Sequence, residues 1–256
     1  MPSELQEVTW HPVHVIGRDR PSRFLVVCDH ATNRIPPDVA NGTLGVSDAD
    51  MGRHIAYDVG AAGVSVRLAE QLNAPAVLSN FSRLVIDPNR GEDDPTLVMR
   101  LYDGTIVPAN RHVDHHEVER RLRLCYRPYH AAIAELAMQH PDAVIVSIHS
   151  FTPQLRGRNE RPWHVGFLHA EDTRLSDALA NLLRADPKWC VGLNVPYTGK
   201  LQGDTIDKHA IQHVRQNTLI EIRNDLIADE VGQLEWADRF AQLLPKALEV
   251  AEIYGA

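Results

Sequence analysis

Short, continuous apolar runs recur along the chain, and longer segments with helical periodicity separate them. Each run has about four to eight residues and is rich in Val and Ile, which is typical of strands buried inside a sheet. Strands that alternate with helices predict a three-layer α/β fold, in which a mixed, mostly parallel central sheet carries helices on both faces. The predicted strands are residues 24–29, 76–78, 84–87, 143–149, 164–169, 191–195 and 218–222. The predicted helices are residues 48–72, 112–139 with a break at Pro128, 172–184 and 232–253.

Length, charge and cysteine content limit the classes of function. A single domain over residues 1–256 is expected at this length. The formal net charge of −8 argues against the clustered positive surface that nucleic-acid binding needs. No apolar run reaches the roughly 18 residues of a membrane span, and the three cysteines show no CxxC spacing. We therefore expect a cytoplasmic protein with neither a nucleic-acid nor a membrane partner, and a homo-oligomer is left open.

Two histidines lie at the carboxyl ends of predicted strands. His30 follows the run Phe-Leu-Val-Val-Cys-Asp, and His149 follows Val-Ile-Val-Ser-Ile. Ligands of open α/β sheets bind at this edge, where a neutral imidazole can coordinate a metal ion. A hydrogen-bonded structural histidine is the alternative for either residue alone, but the presence of both favours a metal site. Asn33 is a candidate oxygen ligand that would leave a fourth position for water.

Glu221 lies in an otherwise apolar predicted strand, where a carboxylate is costly unless it is paired or functional. It is the candidate general base. Arg223 lies on the same face because side chains alternate along a strand. The alternative is a Glu221–Arg223 salt pair at the edge of the sheet.

His54 and Asp58 are four residues apart in the first predicted helix, so they share one face of it. They are candidates for groups that orient or complete the metal site. A surface hydrogen bond between them is the alternative.

Residues 82–90, Ser-Arg-Leu-Val-Ile-Asp-Pro-Asn-Arg, run from a predicted strand into a turn. Arg83, Asn89 and Arg90 could converge there on one end of the sheet. Because arginine binds carboxylates in a bidentate manner, this arrangement predicts a small substrate that carries a carboxylate. Ordinary turn chemistry of Asp, Pro and Asn is the alternative. Further candidates for substrate binding are Arg156 and Arg161 in the irregular segment 151–162, and His209 after the segment 196–207.

The chain resembles the N-formylglutamate amidohydrolase (deformylase) family. The likeness rests on residues 28–36, 56–61, 82–90, 148–151 and 221–223, and it extends in order from about residue 24 to about residue 241. Residues 82–90 are its most specific part. The resemblance implies a phosphorylase/hydrolase-like fold related to zinc carboxypeptidases. It also implies release of formate from N-formyl-L-glutamate, a reaction of histidine degradation.

The wider group holds zinc with two histidines and a glutamate in an HxxE…H arrangement, and a separate glutamate acts as base. Asn33 stands where that arrangement has its glutamate. The third ligand is therefore open between Asn33 and Asp58, and Asp58 is the substitute to test first. Zinc at His30 and His149 would lower the pKa of a bound water, and Glu221 would pass the proton to the leaving amine. Iron and manganese also suit mixed histidine and oxygen sites.

We expect the remaining candidate residues to bind the substrate or to stabilise the charge that develops on it. Arg83 is expected to stabilise the oxyanion, and Arg90 and Arg223, with Arg156 or Arg161, are expected to bind the substrate carboxylates. A carboxypeptidase-like peptidase or another deacylase would use the same site with different walls. A non-catalytic carboxylate-binding protein would hold its ligand with arginines and would bind no metal.

Overall fold

The computed structural model describes residues 10–253, and within them nine strands and seven α-helices. The strands are β1 (Val13–Ile16), β2 (Phe24–Cys28), β3 (Ala76–Ser79), β4 (Leu101–Tyr102), β5 (Thr105–Ile106), β6 (Val144–Phe151), β7 (Val165–Leu168), β8 (Val191–Leu193) and β9 (Asn217–Arg223). The helices are α1 (Asp48–Met51), α2 (Ala61–Gln71), α3 (His115–Arg121), α4 (Arg127–Gln139), α5 (Arg174–Arg184), α6 (Thr205–His209) and α7 (Glu230–Ile253). None of the described helices is both long and apolar enough to cross a membrane.

Seven of the described strands form one mixed sheet, in the order β1-β3-β2-β6-β9-β7-β8. The strands β3, β2, β6 and β9 are parallel to their neighbours in that series. The pairs β1–β3 and β9–β7 are antiparallel, and β4 and β5 form a separate hairpin. Continuous apolar runs suit the central strands because both of their faces are buried.

Alternate residues of β2 pack on opposite faces of the sheet. Phe24, Val26 and Cys28 join a core that includes buried side chains of α2, α5 and α7. Leu25 and Val27 join a second core that includes buried side chains of α4. Two helical layers therefore enclose the sheet, and the predicted three-layer α/β fold is confirmed.

The parallel pairing of β2, β6 and β9 brings their carboxyl ends to one edge of the sheet. In β6 and β9, His149 pairs in register with Glu221. Ile145 and Leu219 are two or four residues earlier in their strands and belong to the second core. His149 and Glu221 therefore project to that same face, because side chains alternate along a strand.

The prediction of a strand at residues 84–87 is wrong. These residues form buried turns, and side chains rather than a neighbouring strand satisfy two of their carbonyl groups. The amide of Asn110 donates to the Leu84 carbonyl at 2.7 Å, and the guanidinium of Arg121 donates to the Val85 carbonyl at 2.8 Å. A short apolar run indicates burial, and it does not specify which groups satisfy the backbone.

The long predicted helix at residues 48–72 is also wrong. It is two helices, α1 and α2, joined by turns that end at Gly60 with φ of +82°. A Cβ at position 60 would lie 2.1 Å from the Ile227 carbonyl oxygen, so only glycine fits.

The break expected at Pro128 is a wide π-helical turn over Leu122–Tyr126, and the proline lies at the start of α4. A wider turn accommodates the proline ring, which clashes with the carbonyl four residues earlier in a regular helix.

We expect Arg121→Met to lower the free energy of unfolding by about 3 kcal/mol, because the buried acceptors Val85 O and Asn110 Oδ1 lose their donor. The neighbouring Arg120→Met is the matched control. Both arginines bind Glu117, but Arg120 is partly exposed, so its loss should cost no more than about 1 kcal/mol. Urea unfolding of the two variants measures the difference, and equal losses would contradict a role for Arg121 in holding residues 84–87.

Candidate functional site

A cavity of about 390 Å³ opens at the carboxyl ends of β2, β6 and β9. It has the size of a small-molecule site and combines apolar walls with a few polar groups. It is lined by His30, His54, Asp58, Arg83, Asn89, Arg90, Tyr102, His149, Ser150, Phe151, Thr152, Leu168, Tyr197, Thr198, Leu201, Asp204, Leu219 and Glu221.

Three buried side chains meet in the cavity and present nitrogen and oxygen atoms to one another. Asp58 Oδ2 lies 2.8 Å from His149 Nδ1 and 3.3 Å from His30 Nδ1. One potential ligand atom from each residue lies within 4.8 Å of those of the other two. His30 follows β2, His149 lies in β6, and Asp58 lies just before α2. The backbone N–H of Asp58 donates to the His30 carbonyl at 2.9 Å, which ties the two loops together.

A second pair of aspartates lies behind the histidines. His30 Nε2 lies 2.7 Å from Asp87 Oδ1, and His149 Nε2 lies 2.8 Å from Asp29 Oδ2. Each contact directs the Nδ1 atom of the ring towards Asp58 and fixes the orientation of the imidazole. Such carboxylate–imidazole contacts are the usual support of histidines that bind metal ions.

The supporting aspartates are themselves held by hydrogen bonds. Asp29 accepts from the hydroxyl groups of Tyr129, Ser147 and Thr205. Asp87 accepts from the Arg83 guanidinium at 2.7 Å and from the Asn89 backbone N–H at 2.9 Å. The positions of both histidines are therefore fixed by a connected buried network.

The electrostatics of the cluster favour a positive charge at its centre. Burial raises the pKa of Asp58, but the charges and hydrogen bonds of His30 and His149 outweigh it and hold that pKa well below its usual range. Burial lowers the pKa of His149, but Asp29 and Asp58 together raise it well above the usual value. A divalent cation would supply the same compensation to the carboxylates.

The donor set fits a divalent transition metal. Two imidazole Nδ1 atoms and one carboxylate oxygen are ligands that zinc accepts in catalytic sites, where a further position stays open. Asp58 is the oxygen donor that the structure brings to the histidines. Asn33 is not among the residues that line the cavity, and its side-chain amide donates to the Met51 carbonyl at 2.9 Å.

Glu221 lies on the cavity wall next to His149. Its side chain is buried, and within residues 10–253 its Oε2 atom has no hydrogen-bond partner. Burial raises its pKa to about 7, although the charges of His149 and His30 act against the shift. The alternative salt pair with Arg223 does not form, because that guanidinium binds Asp225 at 2.8 and 3.1 Å outside the cavity.

Arg83 lines the cavity but is engaged by carboxylates. Its guanidinium lies 2.7 Å from Asp87 and 3.4 Å from Asp58, and it stacks over the Tyr102 ring at 5.4 Å. Its charge therefore compensates the two aspartates that surround His30.

The structure separates the predicted substrate-binding residues into two groups. Asn89 and Arg90 line the cavity. Arg161 does not, but it lies over the rings of two lining residues, Phe151 at 5.7 Å and Tyr197 at 5.0 Å. The others lie elsewhere: Arg223 binds Asp225, Arg156 is exposed and lies 3.5 Å from Asp50, and His209 is buried against His130 at 2.8 Å.

Sequence reasoning missed the supporting aspartates Asp29 and Asp87, and also Asp204 on the cavity wall. The signal for Asp29 was available, because a carboxylate directly after a buried apolar run requires a partner. His54 and Asp58 do line one cavity, but not through a shared helical face, since both lie in the turns between α1 and α2.

Comparisons with known proteins agree with this picture. The family model described as N-formylglutamate amidohydrolase matches residues 22–228 and confirms the resemblance. The structure of gene product Atu2144 from Agrobacterium tumefaciens is 35% identical, with a TM-score of 0.89 over 95% of this chain and 97% of that one. The N-formylglutamate amidohydrolase from Ralstonia eutropha JMP134 shares the fold at 20% identity, with a TM-score of 0.71 over 95% of this chain and 99% of that one. A search of curated proteins finds no match.

A metal titration decides between the two candidate oxygen ligands. We expect Asp58→Asn to weaken zinc binding by at least about 100-fold, because loss of a direct ligand should exceed the 10- to 100-fold effect of a supporting residue. Asn33→Ala should leave the affinity unchanged, because the Asn33 amide donates to the Met51 carbonyl and the residue does not line the cavity. Competition with a chromophoric chelator measures both affinities. The opposite order would assign the ligand to Asn33.

Proposed function

Because the chain belongs to the N-formylglutamate amidohydrolase family, we propose that its cavity hydrolyses the amide bond of an N-formyl or other N-acyl amino acid with the help of a bound metal ion. Amide hydrolysis is the chemistry of the family. The substrate in the family's name, N-formyl-L-glutamate, is the compound that we expect first, with glutamate and formate as products. The observation that carries the proposal is the juxtaposition of the His30–Asp58–His149 cluster with the unpartnered carboxylate of Glu221.

His30, Asp58 and His149 would hold the metal, for which zinc is our first expectation. When bound, such an ion lowers the pKa of a water molecule and polarises the substrate carbonyl. Asp29 and Asp87 hold the Nε2 atoms of the two rings and so keep the Nδ1 atoms directed at the site.

Glu221 is the base in this proposal. Burial raises its pKa to about 7, close to the value at which a carboxylate both accepts and returns a proton near neutral pH. Its carboxylate, which lines the cavity, would take a proton from the attacking water and deliver it to the leaving nitrogen. Because it lies beside His149 in the sheet, the rigid pairing of β6 and β9 sets its position.

Three arginines have different parts in this proposal. Arg83 keeps Asp58 and Asp87 in place and adds positive charge near the oxyanion. Arg90, with Asn89, faces the cavity without a carboxylate partner among the described residues and would bind a carboxylate of the substrate. Arg161 would bind a second carboxylate, because it contacts the cavity-lining rings of Phe151 and Tyr197. Arg156, Arg223 and His209 receive no part in this proposal, because they do not line the cavity.

A peptidase-like enzyme or another deacylase would use the same cluster with a longer substrate. The cavity volume of about 390 Å³ favours a small molecule. A carboxylate-binding protein without catalysis would not need Glu221 or Asp58 on the wall that receives the ligand, because their negative charges repel a carboxylate.

Replacement of the base provides the direct test. We expect Glu221→Gln to lower kcat by about 1,000-fold or more with unchanged zinc content, because the amide cannot accept a proton. Arg223→Gln, on the same strand but outside the cavity, should change kcat/KM by less than about threefold. The assay is formate release from N-formyl amino acids. Undiminished turnover of Glu221→Gln would remove Glu221 from the mechanism.

A second pair of variants tests carboxylate binding. Arg90→Gln should raise KM for N-formyl-L-glutamate by about tenfold, because it removes a charged hydrogen bond worth about 1.5–3 kcal/mol. Arg156→Gln is the matched control, since this exposed arginine does not line the cavity. Steady-state kinetics of the two variants give the comparison, and equal KM values would argue against Arg90 as a ligand of the substrate.

A further inference from the structure

Asp204 is a buried carboxylate on the cavity wall that none of the steps above uses. Only 3% of the surface of Asp204 is exposed to solvent. One oxygen, Oδ1, accepts the Asp207 backbone N–H at 2.7 Å and so caps α6. The other oxygen has no hydrogen-bond partner or salt bridge in the part of the chain that the structure describes, and the residue lines the cavity. Asp204 therefore offers the cavity a carboxylate oxygen without a protein partner.

The backbone on both sides of Asp204 is fixed. Gly203 has φ of +76°, and a Cβ at this position would lie 2.7 Å from the Gly91 Cα atom. The Gly203 N–H donates to Asp207 Oδ2 at 2.7 Å. On the other side, Thr205 donates its backbone N–H to Asn89 Oδ1 at 3.2 Å and its hydroxyl to Asp29. Asp204 is thus held in a set position relative to the metal cluster.

The cationic side chain of Arg90 lines the same cavity and is connected to the Asp204 loop through Asn89. Arg90 donates to the Asn89 carbonyl at 2.8 Å, and the side chain of Asn89 accepts from Thr205, the residue after Asp204. Arg90 and Asp204 do not pair with each other, nor with any other opposite charge in residues 10–253. The wall therefore offers one positive and one negative group with Asn89 between them. An α-amino acid carries a carboxylate and a nitrogen on the same carbon, and it complements such a wall.

We propose that Asp204 binds the nitrogen of the scissile amide, as an N–H donor in the substrate and as an ammonium group in the product, while Arg90 binds the α-carboxylate. This inference rests on the proposed function and narrows its substrate class to N-acyl α-amino acids with a secondary amide. Tertiary amides, such as N-methyl analogues, lack the N–H that Asp204 would accept.

The balance of the reaction supports this placement. The C–N bond breaks, water supplies the hydroxyl that joins the acyl carbon, and the products are a carboxylate and an ammonium ion. Positive charge therefore develops at the nitrogen, where Asp204, which forms no salt bridge within residues 10–253, would meet it. Burial raises the pKa of Asp204 to about 7, and such an uncompensated carboxylate gains from a cationic partner.

Asp204→Asn tests the proposal, because asparagine keeps the cap of α6 and the shape of the side chain but removes the charge. We expect kcat/KM for an N-formyl amino acid to fall by about tenfold or more. That for its N-methyl analogue should fall by a clearly smaller factor, because this analogue lacks the substrate N–H and keeps only the charge that develops on the leaving nitrogen. The inhibition constant of the free amino acid should rise by about tenfold, whereas that of formate should not change. Asp114→Asn is the matched control, since Asp114 likewise caps a helix, accepting the Glu117 backbone N–H at 2.9 Å, but does not line the cavity.

The outcomes separate this inference from the proposed function. A wild-type protein that cleaves no N-acyl amino acid contradicts the proposed function. Calorimetric binding of the free amino acid to the zinc-loaded protein would still test Asp204, because Asp204→Asn should weaken it about tenfold. Three results overturn the inference: equal losses for secondary and tertiary amides, unchanged binding of the amino acid, or a reduced zinc content that would make Asp204 a metal ligand.

Discussion

The contact between Asp58 and the two imidazoles is the interaction on which the rest of the site depends. A single carboxylate oxygen lies within 3.3 Å of an Nδ1 atom from each ring, although the three residues come from separate parts of the chain. That convergence requires β2 and β6 to be parallel neighbours, so that both histidines reach the same edge of the sheet. It also requires the break after α1, because a continuous helix would not carry Asp58 to that edge as the observed turns do. The break between α1 and α2 thus coincides with the point at which Asp58 meets the two histidines.

Burial of so many charges is tolerated because they form a connected set. Asp29 and Asp87 each hold one histidine, and Arg83 binds Asp87 while lying 3.4 Å from Asp58. Removal of any one partner leaves an uncompensated buried charge, which costs several kcal/mol. The network therefore gives the site rigidity rather than a large net gain in stability. Residues 82–90, which supply much of it, have their own carbonyl groups satisfied by side chains instead of a strand.

Two carboxylates are left out of this compensation. Glu221 and Asp204 both face the cavity, both are buried, and burial raises the pKa of each to about 7. Within residues 10–253 neither of them forms a salt bridge, and the pairing rules of a stable interior are broken mainly at functional sites, which is why both enter our proposals. Their surroundings differ, because Glu221 lies beside His149 on a central strand and Asp204 lies in a loop near Arg90. Because of this difference, we assign proton transfer to Glu221 and binding of the substrate nitrogen to Asp204.

The sequence by itself determined the α/β class, the positions of most strands, and the two histidines at strand ends, because these depend on local apolar periodicity and on the rule that parallel strands present their carboxyl ends together. The tertiary structure alone decided which groups meet there. It brought Asp58 rather than Asn33 to the histidines, placed Arg90 on the cavity wall and Arg223 outside it, and turned residues 84–87 from a predicted strand into a buried loop. Local periodicity indicates that a residue is buried, whereas its partners are set by contacts between segments that can be more than 100 residues apart in sequence, such as Asp29 and His149.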